Sequence, residues 1–215
     1  MVKLYVEGGG DRNPILAEDV RKGFKLFFVK AGFEKRCPRV KACGSRQSAY
    51  EDYCIAIRNG QPAMLLVDSE TDVQDIFEDG DIHDWKPWEQ LQSRKDQFGN
   101  RCDLWEKIGE DTDCHLMVQM MESWFLADVD AVKAHYNGGF KEGRFPGDNE
   151  DIEKISKKKI EAILKSSTKE TNKKEYDKGQ DSFVILGQID PEKVRMRSKW
   201  ANRFLCLLSE KIDSV

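Results

Sequence analysis

Met64-Leu65-Leu66-Val67-Asp68-Ser69-Glu70-Thr71-Asp72 is a short apolar run that passes directly into carboxylates at alternate positions. Gly60 and Pro62 bound it upstream and polar residues bound it downstream, so it reads as a strand buried on both faces. Parallel sheets covered by helices are built from such strands. The acids then fall at the strand's C-terminal end, the edge where open α/β sheets bind their ligands. Asp68, Glu70 and Asp72 repel one another at this spacing, and a hard divalent cation is the common relief.

Upstream, Lys3-Leu4-Tyr5-Val6-Glu7 is β-prone and stops at Gly8-Gly9-Gly10, after which Asp11 can cap a helix over Ile15 to Ala31. Gly32 ends that helix. Arg39 to Cys43 supplies a second, weaker strand, and Arg46 to Arg58 a second helix that Asn59-Gly60 stops. The order is β-α-β-α-β, with crossovers long enough for parallel strands. Downstream, the periodicity lapses over about 73–111, which reads as an insertion or lid with helical pieces near Trp88 to Arg94 and Asp103 to Ile108. His115 to Met121 returns as a buried strand and leads through Glu122 and Asp128 into a helix ending near Asn137-Gly138-Gly139. The expected fold is therefore an α/β core over 1–139, its mainly parallel sheet flanked by helices. A helical, lysine-rich extension over 140–215 packs on it, with helices over Ile152 to Leu164, Ser182 to Ile189 and Val194 to Ile212. The Lys165 to Lys178 stretch reads as its most mobile part.

A chain of 215 residues can bury a full core without disulfides or structural metals. Its six cysteines contain no Cys-x-x-Cys and read as reduced thiols. The sequence shows no signal-peptide layout and no apolar run long enough for a bilayer, so the expectation is a cytoplasmic protein with no membrane contact. The net charge of -4 hides an uneven distribution. Asp68 to Asp84 carries acids without a single Lys or Arg, whereas Lys154 to Lys178 is mostly basic. An acidic metal site beside a cationic surface suits a phosphate-bearing substrate, and two solvated faces would give the same pattern.

Glu7 also lies at a strand end, before glycines that let the backbone approach a ligand. If the first and third strands are neighbours, Glu7, Asp68 and Glu70 converge and could hold one or two Mg²⁺ ions, the arrangement of metal-assisted phosphoryl displacement. The glycine turn lacks the ending of a nucleotide P-loop and the spacing of a dinucleotide fingerprint, so by itself it is a tight strand-to-helix turn.

Tyr5-Val6-Glu7-Gly8-Gly9-Gly10-Asp11 with Leu65-Leu66-Val67-Asp68-Ser69-Glu70-Thr71-Asp72 resembles the two motifs of the TOPRIM domain, shared by topoisomerases, bacterial primases and nucleases of the OLD type. The resemblance covers roughly the N-terminal third to half of the chain and implies a Rossmann-like TOPRIM fold. Glu7 would be the catalytic or metal-binding glutamate, and Asp68 and Glu70 would be ligands to Mg²⁺ or Mn²⁺. Glu70 stands where the second Asp is more usual, with Asp72 as a substitute ligand. Gln119-Met120-Met121-Glu122-Ser123-Trp124-Phe125-Leu126-Ala127-Asp128 is similar to a segment of small standalone TOPRIM-like proteins encoded beside ABC-type ATPases in prokaryotic defence loci. That similarity implies an antiviral effector with an ATPase partner. It makes Glu122 a further metal carboxylate, unless Glu122 is simply an acid favoured at a helix N-terminus. Asp128 reads as structural.

Arg12 in the turn, and Lys169 and Lys178 in the basic tract, are candidates to contact nucleic acid; a solvated face is the plain alternative for the lysines. None of His83, His115 and His135 is placed to act as a general base. Haloacid-dehalogenase, von Willebrand-type and phosphoribosyltransferase sites each require a pattern that this sequence lacks. The expected function is a Mg²⁺- or Mn²⁺-dependent nuclease acting on DNA or RNA. Its competitor is a non-catalytic TOPRIM-like regulatory or binding subunit of an ATPase complex. A homodimer is compatible with the sequence, which shows no readable interface.

Overall fold

The computed structural model describes residues 1–9, 13–103 and 105–215. Its sheet is built from β1 (Lys3–Val6), β2 (Arg39–Ala42), β3 (Ala63–Asp68) and β4 (Cys114–Met117), in the order β2-β1-β3-β4 with every pairing parallel. Burial follows position. All residues of the interior strand β3 are buried, while the edge strand β2 alternates exposed and buried. β4 is also an edge yet wholly buried, because the last helix of the chain and the helix of the insertion pack on it.

The fold is α/β and compatible with a Rossmann-like arrangement. Helix α1 (Pro14–Phe28) connects β1 to β2, and α2 (Arg46–Arg58) connects β2 to β3. Alternate strand residues separate two cores, one on each face of the sheet. Leu4, Val6, Met64 and Leu66 pack with Phe24, Phe27 and Phe28 of α1. Tyr5, Leu65 and Val67 pack with Ala49 and Tyr53 of α2. The chain therefore runs outward from β1 to β2 on one face and returns to β3 on the other. The gap between the C-terminal ends of β1 and β3 is the topological switch point, the crevice where such sheets take ligands.

Capping explains the helix starts. Asn13 caps α1 by accepting the Leu16 N–H at 3.1 Å, with Pro14 in the first turn; Asp11, the expected cap, lies outside the described residues. Ser45 caps α2 through the Ser48 N–H at 3.1 Å.

In the insertion, α3 (Pro87–Ser93) forms, but the described part of 103–108 is not helical. That segment instead runs along α2. Trp105 stacks on Tyr50 with ring centres 4.6 Å apart, and the Tyr50 hydroxyl donates to the Glu106 carbonyl at 3.1 Å. β4 stops at Met117, short of the expected Met121, because Gln119 takes a φ of 61°. A tight helical turn over Met121–Ala127 leads into α4 (Val129–Tyr136).

The extension contains α5 (Lys157–Thr168), α6 (Lys178–Leu186), α7 (Pro191–Arg197) and α8 (Lys199–Asp213). Two helices replace the single one expected over Val194 to Ile212. They break at Ser198, whose hydroxyl donates to the buried Glu153 carboxylate at 2.6 Å and accepts the Ala201 N–H at 3.0 Å. The Lys165 to Lys178 stretch, expected to be mobile, is anchored: Tyr176 is buried and donates its N–H to Thr168 Oγ1 at 2.7 Å.

Candidate active site

In the β1–β3 register Val6 pairs with Leu66, so Glu7 leaves β1 beside Val67, next to Asp68 at the end of β3. Glu7, Asp68 and Glu70 each bring a carboxylate oxygen within 4.8 Å of the others. Asp72, one candidate ligand, is exposed and outside this cluster.

The backbone at these strand ends is unusual in a way that fits a binding site. Gly8 and Gly9 have φ values of 109° and 67°, and a Cβ on Gly9 would fall 2.7 Å from Ala17 Cα. Gly8 and Gly44 exchange backbone hydrogen bonds of 2.9 Å, which ties the turn after β1 to the turn after β2. Glu70 and Gln119, neither a glycine, also take positive φ values of 68° and 61°. The Glu70 N–H donates to the Gln119 carbonyl at 3.0 Å, and Ser69 Oγ accepts the Gln119 N–H at 2.8 Å. Strain of this kind persists where surrounding bonds over-determine it, and it concentrates at ligand sites.

Asp68 is 5% exposed, and its Oδ1 accepts the Met121 N–H at 2.8 Å. Burial raises its pKa well above the usual carboxylate value, and the charges of Glu7 and Glu122 raise it further against Lys178 and Lys157. Burial also pushes the Glu7 carboxyl up; Arg46 pulls it back and Glu70 adds to the rise. Glu7 Oε2 is buried and has no hydrogen-bond partner among the described residues.

Glu122 is fully buried and accepts from the Tyr176 hydroxyl at 3.0 Å and from Lys178 Nζ at 3.3 Å. Burial opposes the Lys178 charge, yet Glu122, Asp68 and Glu7 together hold its pKa above the ordinary lysine value. Lys178 therefore faces the acids, whereas Lys169 is exposed at the end of α5 and makes no hydrogen bond or ion pair with them. Arg12 lies outside the described residues. Asp128 caps α4 and accepts the Asp190 N–H at 2.8 Å and Lys193 Nζ at 2.7 Å. His115 is buried against Arg203; burial and that charge hold its pKa well below the usual histidine value.

Two cations of the site escaped the sequence reading. Lys157 Nζ lies 2.5 Å from Glu70 Oε2, and Arg46 Nη1 lies 4.0 Å from Glu70 Oε1. Lys157 sits in a lysine run with nothing to single it out. Arg46 did carry a signal, since it follows Gly44-Ser45 at the C-terminal end of β2, the same ligand-binding edge as Glu7 and Asp68.

The donors present suit a hard divalent cation. Three carboxylates with no Cys or His among them match Mg²⁺ or Mn²⁺ better than zinc, and the Glu7 oxygen is an acceptor left without a partner among the described residues.

The structure thus defines an α/β chain with a carboxylate cluster at the switch point of its sheet and cations around that cluster. The family model described as "Domain of unknown function (DUF4276)" matches residues 6–209, and the chain belongs to that family. No curated protein and no solved structure matched the chain. Among the described residues no helix is long and apolar enough to cross a membrane.

Proposed function

We propose that this chain is a Mg²⁺- or Mn²⁺-dependent nuclease, hydrolysing phosphodiester bonds of DNA or RNA as a TOPRIM-like effector that works with an ATPase partner. The observation that carries this reading is the convergence of Glu7, Asp68 and Glu70 at the switch point. These three residues would hold the metal, with Glu122 behind Asp68. A divalent ion there supplies positive charge to the phosphate oxygens and lowers the pKa of a water molecule. The chain's own residues do the rest. The Met121 N–H fixes Asp68, and the Gln119 carbonyl fixes the Glu70 backbone, so both carboxylates are oriented in advance. Lys157 and Lys178 offset the acids' negative field, which otherwise repels a polyanion.

The test is incubation of the purified protein with plasmid, single-stranded DNA, tRNA and total RNA. Each is run with and without Mg²⁺ or Mn²⁺, and with and without an ABC-type ATPase of the kind proposed as its partner. Glu7→Gln and Asp68→Asn are expected to lose roughly 100-fold or more of the rate, the scale of removing one electrostatic stabiliser. Cleavage that persists unchanged in both variants would sink the assignment.

One observation favours the rival reading of a non-catalytic binding subunit. The ion pairs Lys157–Glu70 and Lys178–Glu122 neutralise acids without any metal. Calorimetric titration of Mn²⁺ into wild type and Asp68→Asn separates the two, because a non-catalytic, metal-free cluster gives no specific heat in either.

A further inference from the structure

Arg46 is the residue whose surroundings leave the most unexplained. It opens α2 at the switch-point crevice, and its side chain is only 11% exposed. The insertion holds it on two sides. Asp103 Oδ2 accepts from Nη2 at 3.0 Å, and the guanidinium lies over the Trp105 ring with its carbon 5.3 Å from the centroid. Asp103 is itself held by Arg94 at 2.6 Å, and Trp105 Nε1 donates to Gln47 Oε1 at 2.7 Å. This anchoring uses only part of the guanidinium. Nε and Nη1 are buried without a hydrogen-bond partner among the described residues. Glu70 Oε1, 4.0 Å from Nη1, is too far away for a hydrogen bond.

A buried cationic donor left unpaired is costly, and native proteins rarely keep one without a use. Here the cost is incurred beside a carboxylate cluster, on a side chain already locked in orientation. Glu70 does not satisfy these donors: its Oε2 accepts from Lys157, and its Oε1 stands 4.0 Å from Nη1. A tetrahedral oxyanion fits the requirement. It brings several acceptors, carries the charge that a guanidinium binds best, and would sit between Arg46 and a cation held by the acids.

We infer that Arg46 is the phosphate clamp of this site: its unspent donors bind the non-bridging oxygens of a phosphate group whose other side faces the Glu7–Asp68–Glu70 cluster. The inference rests on the metal-dependent phosphodiesterase reading and gives its substrate class one specific recognition element. Asp103 and Trp105 are then positioning residues that act through Arg46. The insertion over 73–111 contributes to the site by holding this arginine.

The test uses the full chain and two probes, Mn²⁺ and inorganic phosphate, the latter titrated calorimetrically with and without saturating Mg²⁺. Arg46→Gln is expected to lose roughly 10–100-fold in phosphate affinity, the scale of a charge-assisted hydrogen bond, while Mn²⁺ affinity is unchanged or tighter. Arg46→Lys keeps the charge but not the planar fork, and recovers only part of the loss. Phosphate affinity equal to wild type in Arg46→Gln overturns the inference. An equal loss of Mn²⁺ and phosphate affinity also overturns it, because Arg46 would then act by shaping the acid cluster. Wild type that binds phosphate through Arg46 but takes up no Mn²⁺ removes the metal reading and leaves the clamp standing. If Arg46→Gln does not fold, Asp103→Asn keeps the guanidinium and releases its anchor. A smaller loss in the same direction is expected there, and unchanged phosphate affinity counts against the clamp.

Discussion

Asp68 sets the pH behaviour of the site. Burial, then Glu7, then Glu122 hold its folded pKa well above the ordinary carboxylate value, so its carboxyl keeps its proton to higher pH than a free one and a divalent cation competes with that proton. Mn²⁺ binding should therefore release protons, measured as a calorimetric enthalpy that changes with the ionisation enthalpy of the buffer; an enthalpy independent of buffer would contradict it. The sign for stability follows from the same shift. The raised folded pKa makes the Asp68 contribution fully present below the ordinary carboxylate value, and it is lost as pH rises through the folded value. Asp68→Asn can still accept the Met121 N–H and carries no charge. Without metal it should be more stable than wild type on the alkaline side of that window, with the difference vanishing in acid. Denaturant titrations across pH give the comparison, and added Mn²⁺ should shrink the gap by stabilising only wild type.

At the scale of elements, α6 reaches the site because α1 lets it come close. A Cβ on Gly23 would collide with the Phe183 carbonyl, and one on Gly8 would come within 3.1 Å of the Phe183 ring. Gly23→Ala should thus cost about 1–3 kcal/mol by overpacking, although alanine is the better helix former by about 1 kcal/mol. Urea denaturation measures the loss; a stabilised variant would show that α6 is free to move away. The strands and α2 were legible because apolar runs of strand length end at Gly, Pro and Asn, and Ser45 is a plain cap. The convergence of Glu7 with Asp68 was legible only on the premise that β1 and β3 are neighbours, and the sheet order supplies that neighbourhood. What stayed hidden depends on contacts distant in sequence. The segment near Trp105 carries helical residue types, yet packing against Tyr50 and Gln47 draws it out along α2. The break at Ser198 depends on a Glu153 carboxylate brought from another turn. Asp72 has the right spacing for a ligand, but the turn made by Glu70, with its φ of 68°, leaves it facing solvent.

For the whole molecule, the helical extension belongs to the same folding unit as the sheet. α8 places Phe204, Leu205 and Leu208 in the α1-side core and Trp200 in the α2-side core, where Trp200 packs 4.9 Å from Trp85. Arg203, fully buried, donates to the Cys114 carbonyl at 3.0 Å and to the Asp111 carbonyl at 2.8 Å, which seals the β4 edge. Unfolding should accordingly be one cooperative transition, with tryptophan fluorescence and far-ultraviolet dichroism coinciding in urea. Two resolved transitions would mean that the extension melts alone. The packing of α6 over the glycine turn also bears on how the protein is made. Glu7, Asp68 and Glu70 leave the ribosome early, whereas Lys178 and the Phe183 ring that lies over Gly8 emerge much later. A nascent chain therefore carries the acids without their lysine and with the turn uncovered. On the proposed nuclease reading, the site is completed only after α6 has been translated, well after its three acids.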